Sequence, residues 1–506
     1  MIAIAGPFPA PRRARFRKLR AFSPDGSVEW AAGITGVQSP NLTTFVWQAA
    51  CAAGLSGHLR SGGGIRPMQM PAVRNMDSAA AARVASGRGR ALTCLFLALI
   101  WGLAVWFLYR GAVPPDLSAV YVAGHLFADG QPDLVYAARV AGPVGVPVGW
   151  EDAVTELGLG GRPVYAYVYP PLWAALAAPV SSFVPPGWFF ATAYQLMAGC
   201  VALTLYIVLR AIRPPGGVVP WFGLGLAGTL ATIGGQLAFY NCQPQIAVGL
   251  LVVLAIERQM RRLPLAAGAA LALAASIKLY PALFLLWFVA ARDRRAILAF
   301  LLAGAALAAL SLALGGWTLH LAFLDRVAAI GAQIHGIAYN YNLENLIYQL
   351  AHAGRLPVEA GTGTVGQFAL PDPYWMPWIV HGALAAGLVL IASRWQAGPP
   401  DWRFGTLFPA ALILVSLALP LGWAHQFLPV LAFLPGLMRV YGRLAGLACM
   451  LAAVVLQGYP LTVTLAATPA PVMLPMLAGA GTFLALFFLF ALAPAGSGRP
   501  SPPRGG

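Results

Sequence analysis

The chemistry open to this chain begins at Asp116. It stands in Pro114-Pro115-Asp116-Leu117-Ser118-Ala119-Val120-Tyr121, a stretch that continues through Asp129-Gly130 and Asp133 to Tyr136. The stretch follows the first long apolar run and carries several acidic residues in a chain that has only 16. A carboxylate at the lip of a membrane, with aromatic rings spaced after it, suits general-base work on a sugar hydroxyl. The same residues are also an ordinary start to a soluble loop, so their meaning depends on what the rest of the chain brings to them. The second unusual residue is Lys278, in Ser276-Ile277-Lys278-Leu279-Tyr280-Pro281. A lone cation between two short apolar runs calls for an anion, and a lipid-linked phosphate would supply one.

The elements that must position these groups are membrane helices. The chain is 59% hydrophobic and 9% charged, with a mean hydropathy of +0.72, whereas soluble domains carry about 25% charged residues. Repeated apolar runs of roughly 20 residues in such a chain read as transmembrane helices. The net charge of +16 comes from Arg in an N-terminal stretch and in short clusters between apolar runs. That is the positive-inside pattern rather than a nucleic-acid surface. Cys51, Cys94, Cys200, Cys242 and Cys449 are scattered without metal or redox spacing and read as small core residues.

Residues 1–90, rich in Gly, Ala, Ser, Pro and Arg, read as a disordered basic cytoplasmic tail. Met76 is an alternative start, since Met76-Asp77-Ser78 leads through Arg83, Arg88 and Arg90 into the first span, as a bacterial N-terminus would. Residues 91–495 form the membrane domain, and 496–506 a short cytoplasmic tail. Spans are expected at about 91–110, 187–210, 218–236, 238–256, 296–315, 374–393, 404–420, 423–438, 444–463 and 471–494. Two Arg clusters, Arg258, Arg261 and Arg262 and then Arg292, Arg294 and Arg295, lie only about 30 residues apart and require a hairpin of two short helices between them, with Lys278 at its tip. Residues 170–184 break the charge pattern as a full crossing and are read as re-entrant. The total is about 12 spans, with two long outer loops, 111–165 and 316–373, carrying short interfacial helices.

On this topology the polar residues segregate to one face. Asp116, Asp133, Tyr169, Gln243, Gln245, Lys278, Asn342, Glu344 and His425 all fall on or just inside the outer side. Polar groups at membrane depth are costly and therefore read first as facing a cavity. For Gln243, Gln245 and Asn342, hydrogen bonding between helices is an equal alternative. If the donor is a sugar on a polyprenyl phosphate, Lys278, with His425 or Arg326, stabilises the phosphate leaving group as charge develops. Asp116 is the expected general base, and Asp133 stands second to it. Direct displacement with one base inverts the anomeric centre.

These residues resemble the family 87 glycosyltransferases of the GT-C superfamily, which include polyprenyl-phosphate-mannose-dependent mannosyltransferases. The resemblance rests on Asp116, Tyr121, Gly130 and Tyr136, and on Tyr169-Pro170-Pro171. It rests also on Lys278 with Pro281, and on Pro420, Trp423 and His425. Gly235-Gln236 or Gln243, and Asn340 to Asn345, match two further elements loosely. The match covers roughly 91–495. The late motif departs from the pattern, because Leu421-Gly422-Trp423-Ala424-His425 lacks the expected Ser-Pro or Ser-Trp. The resemblance implies an all-α GT-C-type bundle, a catalytic Asp at Asp116 and substrate-binding roles for Tyr121 and the polar residues above.

It also implies a polyprenyl-phosphate-linked sugar donor, with mannose the usual sugar, and a lipid or glycan acceptor. The site would face the periplasm from a multi-pass bacterial inner-membrane protein surrounded by membrane lipids. No cofactor, metal or nucleic acid is expected. A polytopic transporter or an envelope glycan ligase is the alternative. The absence of an inverted repeat and the one-sided polar residues weigh against the transporter.

Overall fold

The computed structural model describes residues 74–136, 146–359 and 361–495, with side chains from 87 onward. The described residues are mostly helical, with one two-stranded antiparallel ribbon among them, β1 (Gln333–Gly336) and β2 (Phe368–Pro371). The first described helix, α1 (Arg74–Tyr109), begins 17 residues before the expected first span. Residues 74–90 are therefore helical, not a coil tail. The run Ala79-Ala80-Ala81-Ala82 has the propensity to carry a helix out of the span. The rest of the tail and the Ser497 end lie outside the described residues.

Six helices among the described residues are long and apolar enough to cross a bilayer: Gly87–Tyr109, Pro186–Ile212, Arg294–Gly331, Met376–Ala397, Pro400–Ala418 and Leu474–Ala491. This is a multi-pass membrane protein. Several expected spans are instead broken. After α2 (Pro115–Ala128), α3 (Glu151–Glu156), α4 (Pro171–Phe183) and α5 (Pro186–Ile212), the region from 218 is three helices, α6 (Val218–Ala231), α7 (Ile233–Tyr240) and α8 (Gln245–Met260). Between α7 and α8 the chain bends by 117°. Residues 423–438, expected as one span, are a string of short helical turns, because Pro429 and Pro435 remove backbone donors. Residues 444–463 likewise break at Gln457-Gly458. The expected count of about 12 rested on treating each apolar run as one rod.

The outer loops also differ from expectation. The helix from Arg294 runs to Gly331, kinked at Gly316 (φ 69°), so Asp325 and Arg326 sit on helix rather than loop. Residues 171–183 form one helix, about 20 Å long at 1.5 Å per residue. That is too short for a hydrocarbon core of about 30 Å, in keeping with a half-inserted segment. The site-region helices α2 (Pro115–Ala128), α3 (Glu151–Glu156), α4 (Pro171–Phe183) and α5 (Pro186–Ile212) follow α1 directly. The pair α2 and α4 pack backbone to backbone. A Cβ on Gly124 would come within 2.7 Å of the Ala177 backbone, so only glycine allows the approach.

Exposed apolar side chains such as Leu92, Phe96 and Leu99 line α1, as expected of a surface that faces lipid. Its other face is anchored by Trp101, whose indole donates to the Ala198 carbonyl on α5 at 3.1 Å. At the far end of α5, Arg439 donates to the Ile212 carbonyl at 2.7 Å, a cation satisfying a helix C-terminus. The buried Glu257, at the C-terminal end of α8, accepts from Arg258 at 2.6 Å and from Arg261. The Arg-rich turns thus lie at the end of α5 and α8 opposite to that where Asp116 and the 117° bend are found.

Candidate active site

Asp116 occupies the first turn of α2, just after Pro114 and Pro115. Proline has no N–H to lose at a helix start, and its fixed φ suits that position. A carboxylate there is favoured by the helix dipole. The amide Nε2 of Gln243 donates to Asp116 Oδ2. Gln243 comes from the turn between α7 and α8, where Cys242 takes a left-handed conformation (φ 43°) to reverse the chain. Tyr169 hydroxyl donates to the other end of the same amide, Gln243 Oε1, at 3.5 Å. Gln243 is therefore oriented from both sides, and its N–H₂ is aimed at the carboxylate.

Tyr169 is itself fixed by the aromatic segment before α4. Its carbonyl accepts from the Tyr136 hydroxyl at 2.5 Å, and the Tyr165 N–H donates to the Pro115 carbonyl at 3.2 Å. Lys278 enters from the tip of the hairpin, on extended backbone just past the helix α9 (Pro264–Ile277). Its Nζ lies 5.8 Å from the Tyr169 ring centroid, within cation–π reach. Burial pushes the Asp116 carboxyl up to about 7, while the Lys278 charge and the Gln243 hydrogen bond pull the other way. A carboxyl titrating near neutrality is well matched to general-base work.

His425 stands on the short turn 424–427, which packs against α7 and α8. It is buried, and neither ring nitrogen has a hydrogen-bond partner. The position of this turn is set by the Asn-rich segment. Tyr341 N–H donates to the Gly422 carbonyl and Ala424 N–H to the Tyr339 carbonyl, both at 2.9 Å. Asn342 Nδ2 donates to the Pro420 carbonyl at 2.7 Å, and Asn340 Nδ2 to the same oxygen at 3.3 Å.

Not every expected site residue joins this cluster. The Tyr121 hydroxyl faces the Val184 and Ser181 carbonyls at 2.8 and 3.2 Å, and its ring packs on Phe189 and Phe190. Five residues along a helix turn it about 140° away from Asp116. Asp133 is exposed on the turn 132–134. Asn342 caps the helix α12 (Leu343–Ala351; α10 is Leu285–Ala290 and α11 is Arg294–Gly331), accepting from Asn345 N–H at 2.9 Å. Glu344 accepts from Asn342 Nδ2 at 3.4 Å. Both residues are bonded within the Asn-rich latch that holds the chain ahead of His425 at Pro420. Gln245 lies beside the cluster, donating to the Tyr280 hydroxyl at 2.5 Å. Tyr280 was not singled out in the sequence, and only its closeness to Lys278 could have flagged it.

The latch carries its own pH dependence. Burial, with Asp372 facing it, pushes the Glu344 carboxyl up to about 7 from an ordinary 4.5. The folded chain thus binds this proton more tightly than the unfolded chain. The stability it contributes is full below pH 4.5 and is lost as pH rises through about 7. Glu344→Gln is expected to flatten the dependence of Tm on pH over that window and to raise Tm at pH about 8. Thermal unfolding of the detergent-solubilised protein measures it. A slope equal to that of the wild type would exclude Glu344 as its origin.

One His–carboxylate grouping among the described residues has ligand-like spacing, and it lies at the other end of α2. His125 Nε2 is 3.2 Å from Asp129 and 3.6 Å from Glu156, both exposed, and the contact docks α3 onto α2. It is too far along the helix, about 14 Å at 1.5 Å per residue, to act on Asp116.

A helical membrane protein that gathers a carboxylate, an amide and an ammonium from separate segments beside a broken helix is built as a membrane-embedded enzyme. Residues 167–420 match the family model of Glycosyltransferase family 87, half of the chain, and the chain belongs to that family. It is a glycosyltransferase. The matched region includes Tyr169, Gln243, Gln245, Lys278, Asn342 and Glu344, and it begins after Asp116 and ends before His425. Among solved structures the chain is similar to ArnT from Cupriavidus metallidurans bound to undecaprenyl phosphate. The identity is 16%, over 79% of this chain and 77% of that chain, with a TM-score of 0.32. A search of curated proteins returns no match.

Proposed function

We propose that this glycosyltransferase, in a GT-C-type arrangement, moves a hexose from a polyprenyl-phosphate-sugar to a hydroxyl of a lipid or glycan acceptor. The site faces the periplasm from the bacterial inner membrane, and mannose is the sugar that the resemblance favours. The observation that carries the reading is Asp116 and Lys278 converging on the Tyr169–Gln243 pair. The acceptor hydroxyl gives its proton to Asp116 as its oxygen attacks the anomeric carbon. The bond from that carbon to the phosphate oxygen breaks, and the phosphate leaves as an anion beside Lys278. The unpartnered ring of His425 can donate a hydrogen bond to the same anion. Attack from the side of Asp116 inverts the anomeric centre.

Purified protein in nanodiscs, given radiolabelled polyprenyl-phosphate-mannose and a membrane lipid extract, is expected to form labelled product. A nucleotide-linked mannose in the same assay is expected to yield none. Product from the nucleotide sugar alone would overturn the proposed donor class.

A further inference from the structure

Gln245 is the first residue of α8 and is 1% exposed. Its Nε2 donates to the Tyr280 hydroxyl, which leaves Gln245 Oε1 buried and unpartnered. A buried acceptor without a donor is costly, and a bound group can satisfy it. The Tyr280 hydroxyl accepts in this bond, so its own proton is not engaged by it. The pair therefore offers one acceptor and one donor to a third group. Turning the Gln245 amide over does not change this. Tyr280 would then donate to Oε1, leaving an N–H of the amide and a lone pair of the phenol on offer. Tyr280 is only partly buried, and Lys278 stands two residues before it.

A hydroxyl both donates and accepts, as the pair requires. A phosphate only accepts and an ammonium only donates, and either would leave half of the pair unmet. Both side chains are uncharged, so neither duplicates Lys278. We infer that Gln245 and Tyr280 bind a hydroxyl of the donor sugar while Lys278 takes the phosphate beside it. This rests on the glycosyl-transfer reading above. Sequence order supports the division: two glutamines two residues apart leave the same bend, Gln243 toward Asp116 and Gln245 toward the Lys278 hairpin.

The experiment compares two lipids, polyprenyl phosphate and polyprenyl-phosphate-mannose, binding to the full chain in nanodiscs. The wild type is expected to bind the mannose-bearing lipid more tightly. Gln245→Met and Tyr280→Phe are each expected to weaken that lipid by about 3- to 10-fold and to leave bare polyprenyl phosphate unchanged. Lys278→Met is expected to weaken both. Variants that weaken both lipids equally, or that keep the full preference for the sugar, would overturn the pair's role. Equal binding of the two lipids by the wild type would do the same while leaving the donor lipid standing. A wild type that binds neither lipid would remove the donor reading and this inference with it.

Discussion

Asp116→Asn is expected to lower the transfer rate by about 10²–10⁴-fold, the range that a positioned general base contributes. The substitution keeps the size of the side chain, and its Oδ1 can still accept from Gln243, so the loss falls on proton transfer rather than on packing. The pH profile gives a second readout. In the wild type the base must be ionised, so the rate rises as pH passes through about 7. In the variant that limb is expected to vanish. Stability should move in the opposite direction. A carboxyl whose folded pKa is raised stabilises the fold fully only below its ordinary 3.8, and that contribution is lost as pH rises through about 7. At pH about 8 the neutral Asn removes that penalty, so Tm is expected to equal or exceed that of the wild type. An inactive protein that is no less stable cannot be dismissed as unfolded. Equal transfer by both proteins would take the base role from Asp116, and Asp133, exposed on its turn, would then be the next residue to replace.

Asp116, Gln243 and Lys278 were legible because each violates what its surroundings favour. An acid at the lip of a span, an amide in an apolar run and a lysine on the side that positive-inside charge avoids are all costly unless they meet something. Their meeting was not legible, since it depends on the left-handed turn at Cys242 and the bend after it. The Asn-rich segment misled for a related reason. Asn342 followed by Asn345 is an N-cap with the donor it serves, a local pattern readable from sequence. Its polarity drew it into the site, although its bonds end on the Pro420 carbonyl. Tyr121 was drawn in by motif order, and helical geometry alone turns it away from Asp116. The spans failed where prolines and glycines cut apolar runs that hydropathy reads as continuous, at 423–438 and at Gln457-Gly458.

The second large effect is expected at Lys278. Lys278→Met keeps most of the side chain's apolar length and deletes the ammonium. Losing one preorganised group at a developing anion lowers rates by about 10²–10³-fold, and Lys278→Arg is expected to recover only part of this. A guanidinium keeps the charge, but its planar fork does not place it where a compact ammonium sat. The same deletion should act on Asp116, because the lysine charge holds that carboxyl down against burial. The rising limb of the pH profile is therefore expected to move above 7 in Lys278→Met, where a lysine serving only to bind lipid would leave it in place. Combining Lys278→Met with Asp116→Asn should cost less than the product of the two single effects. Each substitution disables one half of a single displacement, and residues that act as a unit are not additive. An unshifted limb with fully multiplicative losses would mean that the two groups work apart. The convergence of Asp116 and Lys278 across Tyr169 and Gln243 would then carry no mechanism.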